Sequence, residues 1–460
     1  MPTRITTVLP LVAVLLVCCS PVCQAGDARP APEASAGSPA VAAPETVTVD
    51  LAVDEGPVTY RASGFLHGMT ADEPSDRLVA PLKPKLFRDW AEGPAGAFAT
   101  NRRVRRLGAR QQLSVCDSWG DRYGFGRSQH WPGDGGDWRE WENLVADLVT
   151  RAKGQQCVFE WDIWNEPDTD TFWGRDRAQW YETWRRGYAK IREFDPSAVI
   201  VGPSLAGYDR EFLLEFLTYA KSHNVLPDVL CWHEFGWDDA QDISREIPAH
   251  VTEMRVLMRQ QGIGVDRICL NEVIGPDCQL RPGPTVGFFV GVEAARVEGA
   301  CHACWDEADG EISNCNNTSL DGLLTPTYRE PRATWWVYKS YADMGGRLVR
   351  VVPSATTEGL AAVDEGHSSA LILLGRQGGR TGPVTLRVER IPATFSGGQS
   401  DKVKVVVEHL PDLEWRALPE PLPVSEASVE PISGSLAVRI EAFAPGDAYV
   451  VRLSATEARP

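Results

Sequence analysis

The sequence predicts a (β/α)8 TIM barrel followed by a small antiparallel β-sandwich, on three observations. Eight short apolar or β-branched runs recur at intervals of roughly 22 to 47 residues with helical patterns between them, the repeat that successive βα units require. Two of those runs end in glutamates, Glu166 and Glu272. After Trp335-Trp336-Val337-Tyr338, read as the last barrel helix, the chain changes to short β-branched segments separated by Gly- and Pro-rich turns, the pattern of a sandwich.

The expected barrel strands are residues 62–67, 85–89, 112–116, 158–164, 199–204, 229–233, 267–272 and 300–305, with helices over 138–151, 178–194, 211–223 and 248–261. The distance from Glu166 to Glu272 fits three intervening units of about 35 residues each, so the two glutamates fall on the fourth and seventh strands. Sandwich strands are expected at 348–352, 370–374, 384–388, 402–408, 436–441 and 448–453. Residues 46–54 alternate in the same way, which predicts a strand that crosses back to join them. The domains expected are therefore a barrel over 60–345 and a β-domain over 346–460 completed by that strand.

Ahead of these, Arg4 and the apolar run 8–17 read as a secretory signal ending near Ala25, because a membrane-spanning helix needs about 20 apolar residues. Residues 26–45, almost wholly Ala, Pro, Gly and Ser, read as a flexible tether. Leu16-Val17-Cys18-Cys19 also resembles a lipobox, which would anchor the chain through Cys19; otherwise the protein is expected to be secreted or periplasmic.

At 460 residues there is room for a barrel of about 250 to 300 residues and one smaller domain. The net charge of −17 argues against nucleic acid and anionic membrane surfaces as partners, and no protein partner is predicted. Cys116, Cys157, Cys231 and Cys269 lie in strand-like runs where a buried thiol is the plain reading. Cys278 and Cys315, in loops expected on one barrel face, are the first candidates for a disulfide. Cys301-His302-Ala303-Cys304 has the form of half a zinc motif, but no second closely spaced pair accompanies it, and no metal or cofactor is expected.

Strand ends at the C-terminal face are where a barrel builds its active site. Two glutamates there are what glycoside hydrolysis needs: one carboxylic acid protonates the leaving oxygen while a second carboxylate faces the anomeric carbon. Glu166 is assigned as acid/base and Glu272 as nucleophile. The Glu272 charge is expected to raise the Glu166 pKa in the free enzyme. Asn165-Glu166-Pro167 can also open a helix after a strand, and Glu272 alone can be a solvated loop residue. His67 ends the first strand at the same face, as ligand contact or structural histidine. Trp119, Trp131, Trp173, Trp237 and Trp305 lie in loops of that face, where a ring can stack on a sugar, and Trp305 is the best placed. Glu160 and Asp162 put charges inside the barrel and need partners.

Trp164-Asn165-Glu166-Pro167, with the later strand-ending Glu272, resembles the clan A (4/7 superfamily) retaining glycoside hydrolases. With Asp321-Gly322-Leu323-Leu324 ahead of the last helix, the closest resemblance within the clan is to glycoside hydrolase family 39, which includes β-xylosidases and α-L-iduronidases. The resemblance implies a carbohydrate substrate and a β-xylosidase-like exo-enzyme acting by double displacement. A clan A endoglycanase or arabinofuranosidase, or a noncatalytic glycan-binding barrel, are the alternatives. It also implies that Asn165 bonds the sugar 2-hydroxyl, that His233 is the sixth-strand histidine, and that Arg88 lies near the nucleophile. Relatives often carry His-x-Tyr on the sixth strand, the Tyr hydroxyl bonding the nucleophile; here the run is His233-Glu234-Phe235.

Overall fold

Alternation of apolar residues over 45–57 and their recurrence at helical spacing over 139–155 place the first strand and a long amphipathic helix where sequence periodicity requires them. The computed structural model describes residues 45–124, 130–236, 242–308, 310–395 and 402–456; the signal, the tether up to residue 44, Cys19 and Trp237 lie outside them. Eight parallel strands close into a barrel: β2 (Gly64–Phe65), β3 (Leu86–Asp89), β4 (Arg110–Ser114), β5 (Glu160–Asp162), β6 (Val199–Leu205), β7 (Val229–Trp232), β8 (Arg267–Val273) and β9 (Ala300–His302). The helices around and above it are α1 (Asp76–Val79), α2 (Ala97–Arg106), α3 (Val115–Tyr123), α4 (Arg139–Gln155), α5 (Arg177–Phe194), α6 (Arg210–Ser222), α7 (Ile243–Gln260), α8 (Pro282–Ala295) and α9 (Ala333–Asp343).

Several strands are shorter than expected. β5 ends at Asp162, although the Ile163 N–H still donates to the Val201 carbonyl at 3.4 Å, and Cys116 belongs to α3, whose first residue is Val115. Helix α7 starts at Ile243, five residues before the Pro248 that marked its expected start, and carries that proline inside it.

The β-domain is one sheet of nine strands in the order β15-β14-β17-β12-β11-β10-β1-β13-β16. Its members are β1 (Glu45–Pro57), β10 (Arg347–Val352), β11 (Thr357–Asp364), β12 (Ser369–Arg376), β13 (Gly382–Glu389), β14 (Val403–Leu410), β15 (Leu422–Val429), β16 (Leu436–Phe443) and β17 (Ala448–Ala455). β1 sits inside the sheet, antiparallel to β10 and parallel to β13, so the strand ahead of the barrel does join the β-domain.

Successive side chains of a strand point to opposite faces. In β11, β12 and β17 both faces are buried: Ala361, Val363, Ile372, Leu374 and Val451 enter the sheet's own core, while Leu360, Ala362, Leu371, Leu373 and Val450 join the core of the barrel. α8 lies between the two, buried at every position except Val290 and Ala294, which explains why its sequence is apolar all round. The backbones touch: the Gly283 N–H donates to the Gly446 carbonyl at 2.6 Å. A Cβ on Gly283 would stand 2.4 Å from the Arg376 carbonyl oxygen and 2.7 Å from that of Asp447. Gly283→Ala therefore forces helix and sheet apart, and a loss of roughly 1–3 kcal/mol is expected in denaturant unfolding.

Candidate active site

Glu272 is the penultimate residue of β8, and Glu166 follows β5 by four residues, so they stand on the seventh and fourth strands of the barrel. Glu166 has φ +45°, a left-handed conformation that costs a non-glycine residue about 1 kcal/mol or more and is held here by its N–H donating to the Ser204 carbonyl at 2.8 Å. An oxygen of Glu166, an oxygen of Glu272 and a ring nitrogen of His233 all lie within 4.8 Å of one another. His233 Nδ1 is 3.0 Å from Glu166 Oε1, and its Nε2 is 3.8 Å from Glu272 Oε1. The same three groups are the one set among the described residues that could ligate a cation.

Arg88, fully buried on β3, ties the site together. Its Nη1 donates to Glu272 Oε1 at 2.6 Å, its Nη2 to Asn165 Oδ1 at 2.7 Å and its Nε to Asp162 Oδ2 at 2.8 Å. Asp162 is completed by the Ser204 hydroxyl at 2.8 Å and the Asn271 amide at 3.1 Å. The charged face of β5 thus has its partners, since Glu160 meets Arg110 at 2.7 Å and Arg267 at 3.2 Å at the other end of the barrel. Phe235, where relatives often carry a tyrosine, packs edge-on to His233 and Trp305, and its ring offers no hydrogen bond; Glu272 receives one from Arg88. Glu234 points away and accepts from Trp232 Nε1 at 2.7 Å beside His250, a structural role.

Burial pushes the Glu166 pKa up to about 7, against the lowering influence of Arg88. The cause is desolvation rather than the Glu272 charge expected from the sequence. Burial also raises Glu272, which His233 and Arg88 oppose and Glu166 reinforces. Burial and Arg88 hold His233 near 4, so its ring is neutral at neutral pH and can donate or accept at Nδ1.

These groups open into a cavity of about 740 Å³. His67, Arg88, Asn165, Glu166, Glu272 and Trp305 all line it, and His233 lies buried beneath its floor. Trp119, Trp131 and Trp173 do not; they are packed in an aromatic cluster with Trp141 and Trp164. Among the lining residues that the sequence did not point to are Trp90, Asp117 and Asp121. Trp90, whose ring lies 4.1 Å from that of His67, is one position past β3, so the strand-end rule that found Glu272 also reaches it. Asp117 and Asp121, one turn apart, stand on α3, a helix the sequence did not predict after the strand expected at 112–116; burial raises Asp117 to about 6.

The expected Cys278–Cys315 disulfide is not formed. Cys315 bonds instead to Cys304, with Cα atoms 5.0 Å apart. The Asn314 N–H donates to the Trp305 carbonyl at 3.0 Å, doubling the chain back onto the end of β9, and this brings Cys315 to Cys304 while Cys278 stays buried in the connection between β8 and α8. Both bonded cysteines line the cavity.

Asp321 fixes another part of the wall. Its carboxylate accepts from the backbone N–H groups of Leu66, His67 and Gly68 at 2.7, 3.1 and 2.9 Å. Asp321→Ala leaves the N–H groups of His67 and Gly68 without this acceptor, while Leu66 keeps the His302 carbonyl at 3.1 Å, a cost on the order of 2 kcal/mol. A lower Tm is expected, with KM rising more than kcat falls as His67 and Trp90 lose their support.

Residues 126–260 match the family model for glycosyl hydrolases family 39. A 3-O-beta-L-arabinopyranosyl-alpha-L-arabinofuranosidase of Bifidobacterium pseudocatenulatum is 24% identical over 229 residues, 46% of this chain and 22% of that protein. The chain thus spans about a fifth of the length of the curated relatives it matches. Among solved structures, a protein of Neocallimastix frontalis superposes with a TM-score of 0.75 at 22% identity, covering 90% of this chain and 100% of that one. A monomeric beta-xylosidase of Caulobacter crescentus CB15 gives a TM-score of 0.63 at 15% identity, covering 89% and 99%. The barrel with an attached β-domain and the resemblance to family 39 are therefore both borne out.

Proposed function

We propose, from the match to glycosyl hydrolases family 39 and the paired carboxylates, that this chain is a retaining O-glycoside hydrolase with Glu272 as nucleophile and Glu166 as acid/base. The carrying observation is the approach of a Glu166 oxygen to within 4.8 Å of a Glu272 oxygen. That is closer than the roughly 6.5–9.5 Å between the carboxyl groups of an inverting enzyme and supports the shorter spacing, about 5–5.5 Å, at which the second carboxylate attacks directly.

In the first step the Glu272 carboxylate attacks the anomeric carbon while protonated Glu166 gives its proton to the departing oxygen. The products are a glycosyl ester on Glu272 and a free alcohol. The ester removes the Glu272 charge, so ionised Glu166 can accept a proton from water as that water attacks the same carbon and releases the sugar with its configuration kept. Arg88 keeps Glu272 in its anionic form and holds Asn165 toward the sugar's 2-hydroxyl.

A neutral pentoside, a β-xyloside first, is the substrate class the cavity favours. Among the described lining residues Arg88 is the one cation, and three acidic partners and Asn165 surround its guanidinium; the other charges are Asp117, Asp121 and the two glutamates. A uronate carboxylate would meet repulsion there. The arabinofuranosidase name of the Bifidobacterium relative favours an α-arabinofuranoside as the second reading. We also read the chain as exported, which the Cys304–Cys315 disulfide supports, since such bonds persist in oxidising compartments.

Aryl β-xyloside, α-arabinofuranoside, β-glucoside and α-iduronide offered to the full chain test this, with NMR of the first-formed sugar anomer. Hydrolysis of a pentoside with retention is expected. An inverted product would refute the double displacement, and cleavage of the iduronide alone would refute the neutral substrate.

A further inference from the structure

The opposite end of the barrel holds a second cavity, of about 490 Å³, walled by the starts of β4 and β8, the residues leading into β2, β3 and β9, and the side of α7. Six cationic side chains line it against two acidic ones, Asp266 and Glu298, in a chain with 63 acidic and 46 basic residues. Part of that charge is spent. Arg110 and Arg267 each contact both Glu160 and Glu298, at 2.6 to 3.2 Å, and Arg61 pairs with Glu293 at 3.0 Å.

Three cations remain without an ion-pair partner among the described residues: Arg255, Arg296 and Lys85. Lys85 lies over the ring of Tyr60 at 5.5 Å. Arg255 is half-buried, its guanidinium aimed by the carbonyls of Ala295 and Arg296 at 2.8 and 3.0 Å. Its pKa is depressed by burial and by the charges of Arg61, Arg259 and Arg296. Like charges gathered round one cavity repel, and an anion seated between them turns that repulsion into attraction.

We propose that this cavity binds a tetrahedral oxyanion, phosphate or sulfate, as the free ion or as an ester on a glycan. The guanidinium fork suits such an anion, with two parallel N–H groups for two oxygens. A long polyanion such as nucleic acid is disfavoured by the net charge of −17 on the chain as a whole.

Isothermal titration and thermal unfolding of the full chain, with sodium phosphate and then sodium sulfate at an ionic strength held constant with chloride, test the site. Saturable binding of one ion is expected, with Tm raised by roughly 3 °C at about 100 times Kd. Arg255→Gln and Arg296→Gln should each weaken Kd by about tenfold. Arg296 is exposed, so its variant keeps the test open should Arg255→Gln fail to fold. A short sulfated oligosaccharide that binds more tightly than sulfate, and loses that advantage in Arg296→Gln, assigns the anion to a glycan ester; equal affinity assigns it to the free ion. No saturable binding above chloride, or binding unchanged in both variants, overturns the proposal.

Discussion

Glu272→Ala is expected to lower hydrolysis of the best aryl glycoside by roughly 10⁴-fold or more, because no other group can form the covalent intermediate. Azide should restore part of the rate and yield a glycosyl azide of inverted configuration, since the small anion enters the space the carboxylate leaves. The variant should bind substrate nearly as well as wild type: Asn165 keeps its Arg88 contact at 2.7 Å, and His67, Trp90 and Trp305 are untouched. An azide product of retained configuration, or a rate within tenfold of wild type, would remove Glu272 from the nucleophile's role.

Removing the acid should act through pH as well as rate. With Glu166 at about 7, wild-type kcat/KM should fall as pH rises through that value, because the ionised carboxyl has no proton to give. Glu166→Gln should abolish this alkaline limb and slow cleavage of poor leaving groups by about 10²–10⁴-fold, while a dinitrophenyl glycoside, which leaves unaided, is affected far less in its first step. The shift also has a stability sign. The folded-state pKa lies above the ordinary 4.5, so the folded protein holds the proton more tightly than the unfolded chain, and stability declines as pH rises from about 4.5 to about 7. Above that window Glu166→Gln should be the more stable protein, by up to about 3 kcal/mol. An alkaline limb that survives in Glu166→Gln would assign the titration to another group, such as Asp321, also raised to about 7.

The barrel was legible because its strands are apolar and evenly spaced, and both glutamates because strand ends point into the mouth. The misses have local causes. β11, Thr357–Asp364, is rich in Ala and Gly and carries little β-propensity; its place comes from pairing with β12 over its whole length. β15, Leu422–Val429, is a wholly exposed edge strand but for its last residue, with Pro423, Ser425 and Glu426 in it, and has no hydrophobic face to read. At the site, Asn165, Glu166 and Glu272 were found from one strand-end pattern. Asp321 could be placed only as part of a family motif, since its function is to bind backbone some 250 residues away, and no local period encodes that. Trp305, the tryptophan favoured for the sugar site, lines the cavity, whereas an aromatic in a loop can as readily turn inward to a neighbour, as Trp131 and Trp173 do to each other at 5.5 Å.

The position of β1 between β10 and β13 has a consequence in time. Of the described elements β1 leaves the ribosome first, yet its earliest partner, β10, is synthesised roughly 290 residues later, about 15 to 60 s at 5–20 residues per second. Over that interval Val47, Val49 and Leu51 form an apolar strand edge with nothing beside it, and the barrel must assemble without waiting for it. The strands that flank β1 are thus made only after the barrel, so a chain stalled before residue 347 has a barrel sequence in full but leaves α8 and β1 uncovered, two sticky surfaces that a chaperone would hold or a protease would find.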